Sequence, residues 1–178
     1  MPSPSSSAHT IYLAHGASGD ASSMRPYVRA LAVRKLPAAA IDLPRSGRSV
    51  VKAEKAVPTF IEKVPAGSIA GGHSYGGRVA SMAATEVRYA ALLLLSYPLH
   101  RPGHPEDLRT EHWPQIACPV LLLSGESDPF ARVELLRASV RLLPKAELVT
   151  FAGVGHGLLP VLDDAMDRVA AFVRRHRL

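Results

Sequence analysis

Ser74 is the first residue whose surroundings suggest chemistry. It stands in Gly72-His73-Ser74-Tyr75-Gly76, the G-x-S-x-G pattern of a sharp strand-to-helix turn with a serine at its apex. Glycines are expected at 72 and 76 because a side chain there would collide with the neighbouring strand or helix. The serine backbone itself is expected to be strained. Three more polar stretches share this context: His15-Gly16, Asp128 before Pro129, and His156 between Gly155 and Gly157. Ser74, Asp128 and His156 follow one another at gaps of 54 and 28 residues. Only a particular fold brings such positions together, so the order is itself informative.

Each of these residues also has an ordinary structural reading. His156 between glycines reads as a turn histidine, and Asp128 before a proline as a turn or helix-cap residue. Glu126 is a competing carboxylate two positions earlier. His73 reads as packing or support beside the serine, His15 as a residue that shapes its own loop, and Asp42 and Arg45 as residues that fix a loop. His9, His100, His104 and His112 show no metal-ligand spacing relative to Asp, Glu or Cys, and Pro102-Gly103 forbids a regular helix joining His100 to His104. No metal and no cofactor is expected. The lone Cys118, before Pro119 and an apolar run, reads as a buried thiol at a strand edge.

The elements that must position these residues follow from the apolar pattern. Strands are expected at 10–14, 38–43, 68–72, 90–95, 119–123 and 146–151. The unbroken run from Ala90 to Leu95 has the character of a central parallel strand covered on both faces. Between the strands lie helical patterns: Tyr27, Val28, Leu31 and Ala32, capped by Ser22 or Ser23 and broken by Pro37; Val57 and Phe60-Ile61, started or interrupted by Pro58; Val79, Met82, Ala83 and Val87; Val133, Leu136, Val140 and Leu143; and a last face of Leu162, Ala165, Met166, Val169, Phe172 and Val173. Residues 44–47 read as a turn, and 97–113 as a loop with a short helix near 106–111. Strands alternating with helices imply an α/β fold: a three-layer, doubly wound parallel sheet of about six strands. Right-handed crossovers then place His15, Ser74, Asp128 and His156 beyond strand ends on one edge, where such sheets bind ligands.

Composition narrows the function classes. The chain has 178 residues, 47% hydrophobic and 20% charged, enough for a packed core. A single cysteine excludes an internal disulfide framework. The net charge of +6 invites a nucleic-acid reading, yet the basic residues are scattered apart from Arg174-Arg175-His176-Arg177, with no basic stripe interleaved with aromatics. No nucleic-acid partner is expected. Residues 1–8 are rich in Ser and Pro without an apolar segment and read as a flexible tail; residues 9–178 read as one domain. The longest apolar run is too short to cross a membrane, so a cytoplasmic protein without a membrane partner is expected.

The chain resembles the α/β-hydrolase family over nearly its whole length. The residues that carry the resemblance are H-G-A-S-G at 15–19, D-L-P-R-S-G-R-S at 42–49, G-H-S-Y-G at 72–76, G-E-S-D-P-F at 125–130 and G-V-G-H-G at 153–157. The resemblance implies a catalytic triad. Ser74 would be the nucleophile, His156 the general base and then acid, and Asp128 the carboxylate that fixes the imidazole tautomer. Backbone N–H groups of Ala17 and Tyr75 would form the oxyanion hole, supported by His15, Gly16, Gly72, His73 and Gly76. The activity implied is hydrolysis of an ester or thioester of a small molecule.

Two departures from the family pattern matter. Residues 1–9 are all that precede the H-G strand here, where the family pattern leads one to expect further strands, and only residues 97–118 stand where a lid domain is often inserted. An open, lidless site is expected, similar to small cap-less serine hydrolases such as the dienelactone-hydrolase-like group, which often has a cysteine where this chain has Ser74. The 97–113 loop is expected to line one wall of the site through Tyr97, His100 and Trp113. The alternative is a non-catalytic interaction or ligand-binding module on the same fold, since fold does not fix function.

Overall fold

A computed structural model describes residues 9–178; the expected tail at 1–8 lies outside them. Six strands form one parallel sheet: β1 (Ile11–Ala14), β2 (Ala38–Ile41), β5 (Ile69–His73), β6 (Ala91–Leu95), β7 (Val120–Gly125) and β8 (Ala146–Phe151), in the order β2-β1-β5-β6-β7-β8. A small antiparallel hairpin, β3 (Arg45–Ser46) and β4 (Ser49–Val50), occupies the stretch read as a turn.

The central strands are apolar on both faces because helices cover both. Side chains alternate along a strand. Leu92 and Leu94 of β6 therefore join the core under α2 (Ala53–Lys63) and α3 (Tyr75–Ala83), whereas Leu93 and Leu95 join the core under α1 (Arg25–Val33) and α5 (Leu162–His176). Each fully buried Leu or Phe contributes about 1.5–3 kcal/mol. The expected face of α5 is buried from Ala165 to Val173. The helix α4 (Val133–Ser139) is shorter than its apolar pattern and gives way to a 3-10 turn at Val140–Leu142. No helix among the described residues is long and apolar enough to cross a membrane.

Three local expectations fail for physical reasons. Pro58 neither starts nor interrupts α2; it sits inside the helix. The missing N–H removes one hydrogen bond, and the buried face of Ala53, Ala56, Val57 and Phe60 holds the helix regardless. The cap after β1 is Asp20, not Ser22 or Ser23. Its carboxylate accepts from Ser22 N–H at 2.8 Å and opens a 3-10 turn, Ala21–Met24, that leads into α1. No helix forms at 106–111; the segment is turns, with one bridge between Arg101 and His104 and a 3-10 turn at Trp113–Gln115. Pro and Gly break the helical ladder here, and the backbone closes short turns instead, with His104 N–H donating to Arg101 O at 3.0 Å and Asp107 N–H to His104 O at 3.1 Å.

Strand registers align the site. Ala14, the last residue of β1, pairs with both Ile41 and Gly72; His73 pairs with Leu95, and Gly125 with Phe151. Strand order reverses between β1 and β5, which opens a crevice at their carboxyl ends. Ser74 follows β5 at that point.

Candidate active site

The turn at Ser74 is built by close approach. A Cβ on Gly72 would lie 2.6 Å from the carbonyl oxygen of Ala14, and one on Gly76 would overlap Ala14 and the carbonyl of His15. Only hydrogen fits at either position, as the sequence pattern implied. Ser74 is held at φ 50°, ψ −117°, the strained conformation expected of it. Its N–H donates to Leu95 O at 2.8 Å, which continues the sheet ladder one residue past the strand and anchors the turn.

The three spaced residues meet. Ser74 Oγ lies 2.7 Å from His156 Nε2, and His156 Nδ1 lies 2.9 and 2.8 Å from the two Asp128 oxygens. A carboxylate only accepts, so Nδ1 carries the ring proton, and Nε2 is left to accept from the Ser74 hydroxyl. The Asp128 side chain is fully buried, while that of His156 is 25% exposed, so the imidazole bridges an enclosed charge and an open groove. Asp128 Oδ1 also accepts from Phe130 N–H at 2.8 Å, which fixes the carboxylate. Glu126 is engaged elsewhere: its Oε1 accepts from Thr150 Oγ1 at 2.7 Å and from Arg137. Its loop and the His156 loop are tied together, with Ser127 N–H donating to Val154 O at 2.9 Å.

Two histidines frame the site. His73 donates from Nε2 to the His156 carbonyl at 3.0 Å, and burial holds its imidazole below the usual value. His15 is fully buried; its Nδ1–H donates to Gly16 O at 2.8 Å, and its Nε2 accepts from Leu43 N–H at 3.0 Å. It thus joins the loop after β1 to the end of β2. Asp42 and Arg45 fix that same loop: Asp42 accepts from Ala21 N–H at 2.7 Å, and Arg45 donates to Gly19 O at 2.8 Å. Ala17 lines the groove, and Tyr75 opens α3. Neither backbone N–H has an acceptor among the described residues.

The groove over Ser74 measures about 560 Å³. Its walls correct one expectation. Tyr97, His100 and Trp113 do not line it; all three are at most 1% exposed. Tyr97 and Trp113 pack edge to face, with centroids 5.0 Å apart, in the core under α2 and α3. Large aromatics in a loop without a lid above it gain more from the core than from solvent. His100 ties the loop to the Asp128 loop, accepting from Arg132 N–H at 3.1 Å, while its own backbone N–H donates to Phe130 O at 3.0 Å.

The apolar walls come instead from Met24, Tyr27, Phe130 and Leu159, which sequence reasoning did not single out as contacts. A signal was present: Phe130 and Leu159 stand two and three positions after Asp128 and His156, and Met24 and Tyr27 open the helix after the His15 loop. Away from the groove, ligand atoms of the exposed His104, Glu106 and Asp107 lie within 4.8 Å of one another, a proximity that spacing in the sequence did not reveal. Cys118 is half-buried, and desolvation pushes its thiol up to about 11, which leaves it inert at neutral pH.

A family model described as an alpha/beta hydrolase domain matches residues 7–172. Among solved structures, the chain is similar to MGS-MChE2, an alpha/beta hydrolase enzyme from a sediment metagenome of the Mar Chica lagoon, Morocco. The TM-score is 0.80 and the identity 16%, over 96% of this chain and 92% of that one. It is also similar to Est1E from Butyrivibrio proteoclasticus, solved with ferulic acid bound (TM-score 0.78, 16% identity, 97% and 91% covered). A monoacylglycerol lipase from Paleococcus ferrophilus gives a TM-score of 0.77 at 15% identity, with 94% of each chain covered. At such identities the structural likenesses speak for the fold, and with the match of the family model along most of its length the chain belongs to the α/β-hydrolase family.

Proposed function

We propose that this protein hydrolyses a carboxylic ester or thioester of a small substrate through an acyl-serine intermediate. The observation that carries the reading is the hydrogen-bonded chain Ser74–His156–Asp128, at 2.7 and 2.8 Å, with the serine on a strained turn at the floor of a groove. Esterases and lipases among the structures of similar fold are consistent with it.

In the first half-reaction Ser74 Oγ attacks the carbonyl carbon while its proton passes to His156 Nε2. The Asp128 carboxylate, buried against Nδ1, stabilises the imidazolium that results. Negative charge develops on the substrate oxygen, and the N–H groups of Ala17 and Tyr75, which have no acceptor among the described residues, would receive it. Tyr75 adds the positive end of α3. Collapse breaks the bond to the alcohol or thiol, which leaves with the proton from His156. In the second half, His156 removes a proton from water as the water oxygen attacks the acyl carbon. The acid departs and Ser74 regains its proton.

Replacing Ser74 by Ala is expected to lower p-nitrophenyl acetate hydrolysis by about 10⁴-fold or more, and His156→Ala by a comparable factor, because the members of such a unit act together. Unchanged turnover in the Ser74→Ala protein would overturn the reading.

A further inference from the structure

The groove over Ser74 does not end at the serine. A second cleft of about 530 Å³ shares Ser18, Gly19 and Ser23 with it and runs toward the β3–β4 hairpin, where Arg45 and Arg48 form its far wall. Strand order gives the direction. The hairpin follows β2 at one side of the sheet, Ser74 follows β5, and Phe130 and Leu159 come from the loops after β7 and β8 at the other side. Met24 and Tyr27, from the segment after β1, complete the apolar lining around the serine, so the site has an apolar groove at Ser74 that continues past Phe130 and Leu159 on one side and opens into a cationic arm at the hairpin on the other.

The cationic arm is built rather than loose. Arg45 donates to Gly19 O at 2.8 Å and to Arg48 O at 2.5 Å, which fixes its fork against the loop while its remaining N–H donors stay free. Gly47 takes φ 61°, which allows the tight two-residue turn that places Arg48 at the hairpin tip. Among the described residues no carboxylate lies within ion-pair distance of either guanidinium. Asp20 is the one acid lining the cleft; its Oδ1 accepts from both the N–H and the hydroxyl of Ser22, so it is committed to the turn and leaves the arginines in excess.

Resting on the ester-hydrolysis reading, we propose that the substrate is an ester with an apolar portion on one side of the scissile bond and an anionic oxygen group, a carboxylate or phosphate, on the other. The anion is received by Arg45 and Arg48. Arginine suits this role because its planar fork matches two oxygens at once and it stays charged at every working pH.

The test uses matched ester pairs that differ only in a distal carboxylate: p-nitrophenyl hemisuccinate against p-nitrophenyl butyrate for the acyl side, and 4-acetoxybenzoate against its methyl ester for the alcohol side. At low ionic strength kcat/KM is expected to favour the anionic member of at least one pair by about fivefold, the scale of an exposed ion pair. Because Arg45 remains, Arg48→Ala should weaken that preference and Arg48→Glu abolish it, with turnover of the neutral member unchanged, since Arg48 holds no part of the serine site. Raising salt should erode the preference in the native protein alone. Equal turnover of both pairs, or a preference that survives Arg48→Glu, overturns the cationic arm while leaving ester hydrolysis standing. Failure to turn over any of the four esters overturns both.

Discussion

The ring of Phe130 lies over the imidazole of His156, with centroids 4.2 Å apart and planes tilted by 31°. His73 flanks the same imidazole at 5.5 Å. Both neighbours are held by backbone: Phe130 by its N–H to Asp128, and His73 by its own bond to the His156 carbonyl. The His156 ring is thus fixed by contacts on its faces as well as by hydrogen bonds along its edge.

An aromatic face stabilises a cation placed against it by about 0.5–2 kcal/mol, depending on solvent exposure. The imidazolium of the proposed reaction would receive that stabilisation from Phe130. Phe130→Leu, which keeps the apolar wall and removes the aromatic face, should lower kcat on p-nitrophenyl acetate by about three- to thirtyfold, with KM little changed. Steady-state kinetics check this, and a change confined to KM would assign Phe130 to substrate packing alone.

The strained backbone of Ser74 makes a stability prediction. Ser74→Ala and Ser74→Gly both lose the hydroxyl, but only glycine is at ease at φ 50°, ψ −117°. Strain of this kind amounts to about 1–3 kcal/mol, against which glycine loses about 0.5–1 kcal/mol of chain entropy. Urea unfolding should find Ser74→Gly more stable than Ser74→Ala by about 1 kcal/mol. The usual order, alanine above glycine, would contradict the strain.

His100 was expected beside the substrate and is found bracing the Asp128 loop from behind. Removing its ring leaves the Arg132 N–H unpaired in a part-buried place, a loss of about 1–3 kcal/mol. His100→Ala should therefore lower the unfolding midpoint while leaving relative rates across an acyl-chain series unchanged. A shift in chain-length preference without a loss of stability would return His100 to the groove.

Burial holds the imidazoles of His73 and His112 below the usual value of 6.5. Between that value and the lower folded ones, the unfolded chain binds more protons than the folded one. Their contribution to stability is complete above pH 6.5, falls as the pH drops through this window and is lost below the folded values. Melting temperature measured from pH 7.5 to 5 should fall, and His112→Gln should flatten the fall. Parallel curves for the two proteins would contradict the assignment.

The geometry of the candidate site was legible in the sequence where it depended on local structure. Gly72 and Gly76 mark a turn that only glycine permits, and Asp128 and His156 each follow an apolar run closed by turn residues. Sheet topology then does the gathering. Choosing Asp128 over Glu126 was also within reach, because the residues around 128 carry the family pattern. The walls were not legible. Whether Tyr97 and Trp113 face substrate or core depends on how a loop of turns packs under α2 and α3, and no periodicity reports that. Pro58 and the Asp20 cap were misjudged because packing and a single side-chain hydrogen bond outweighed local propensity.

The central claim is that Ser74 is the nucleophile. The most direct measurement is mass-spectrometric mapping of the protein after reaction with a fluorophosphonate, which forms a stable bond only with an activated serine. One adduct is predicted, on the peptide containing Ser74, absent from Ser74→Ala and sharply slowed in His156→Ala. An adduct on another serine, or none in a preparation that hydrolyses p-nitrophenyl acetate, would contradict it.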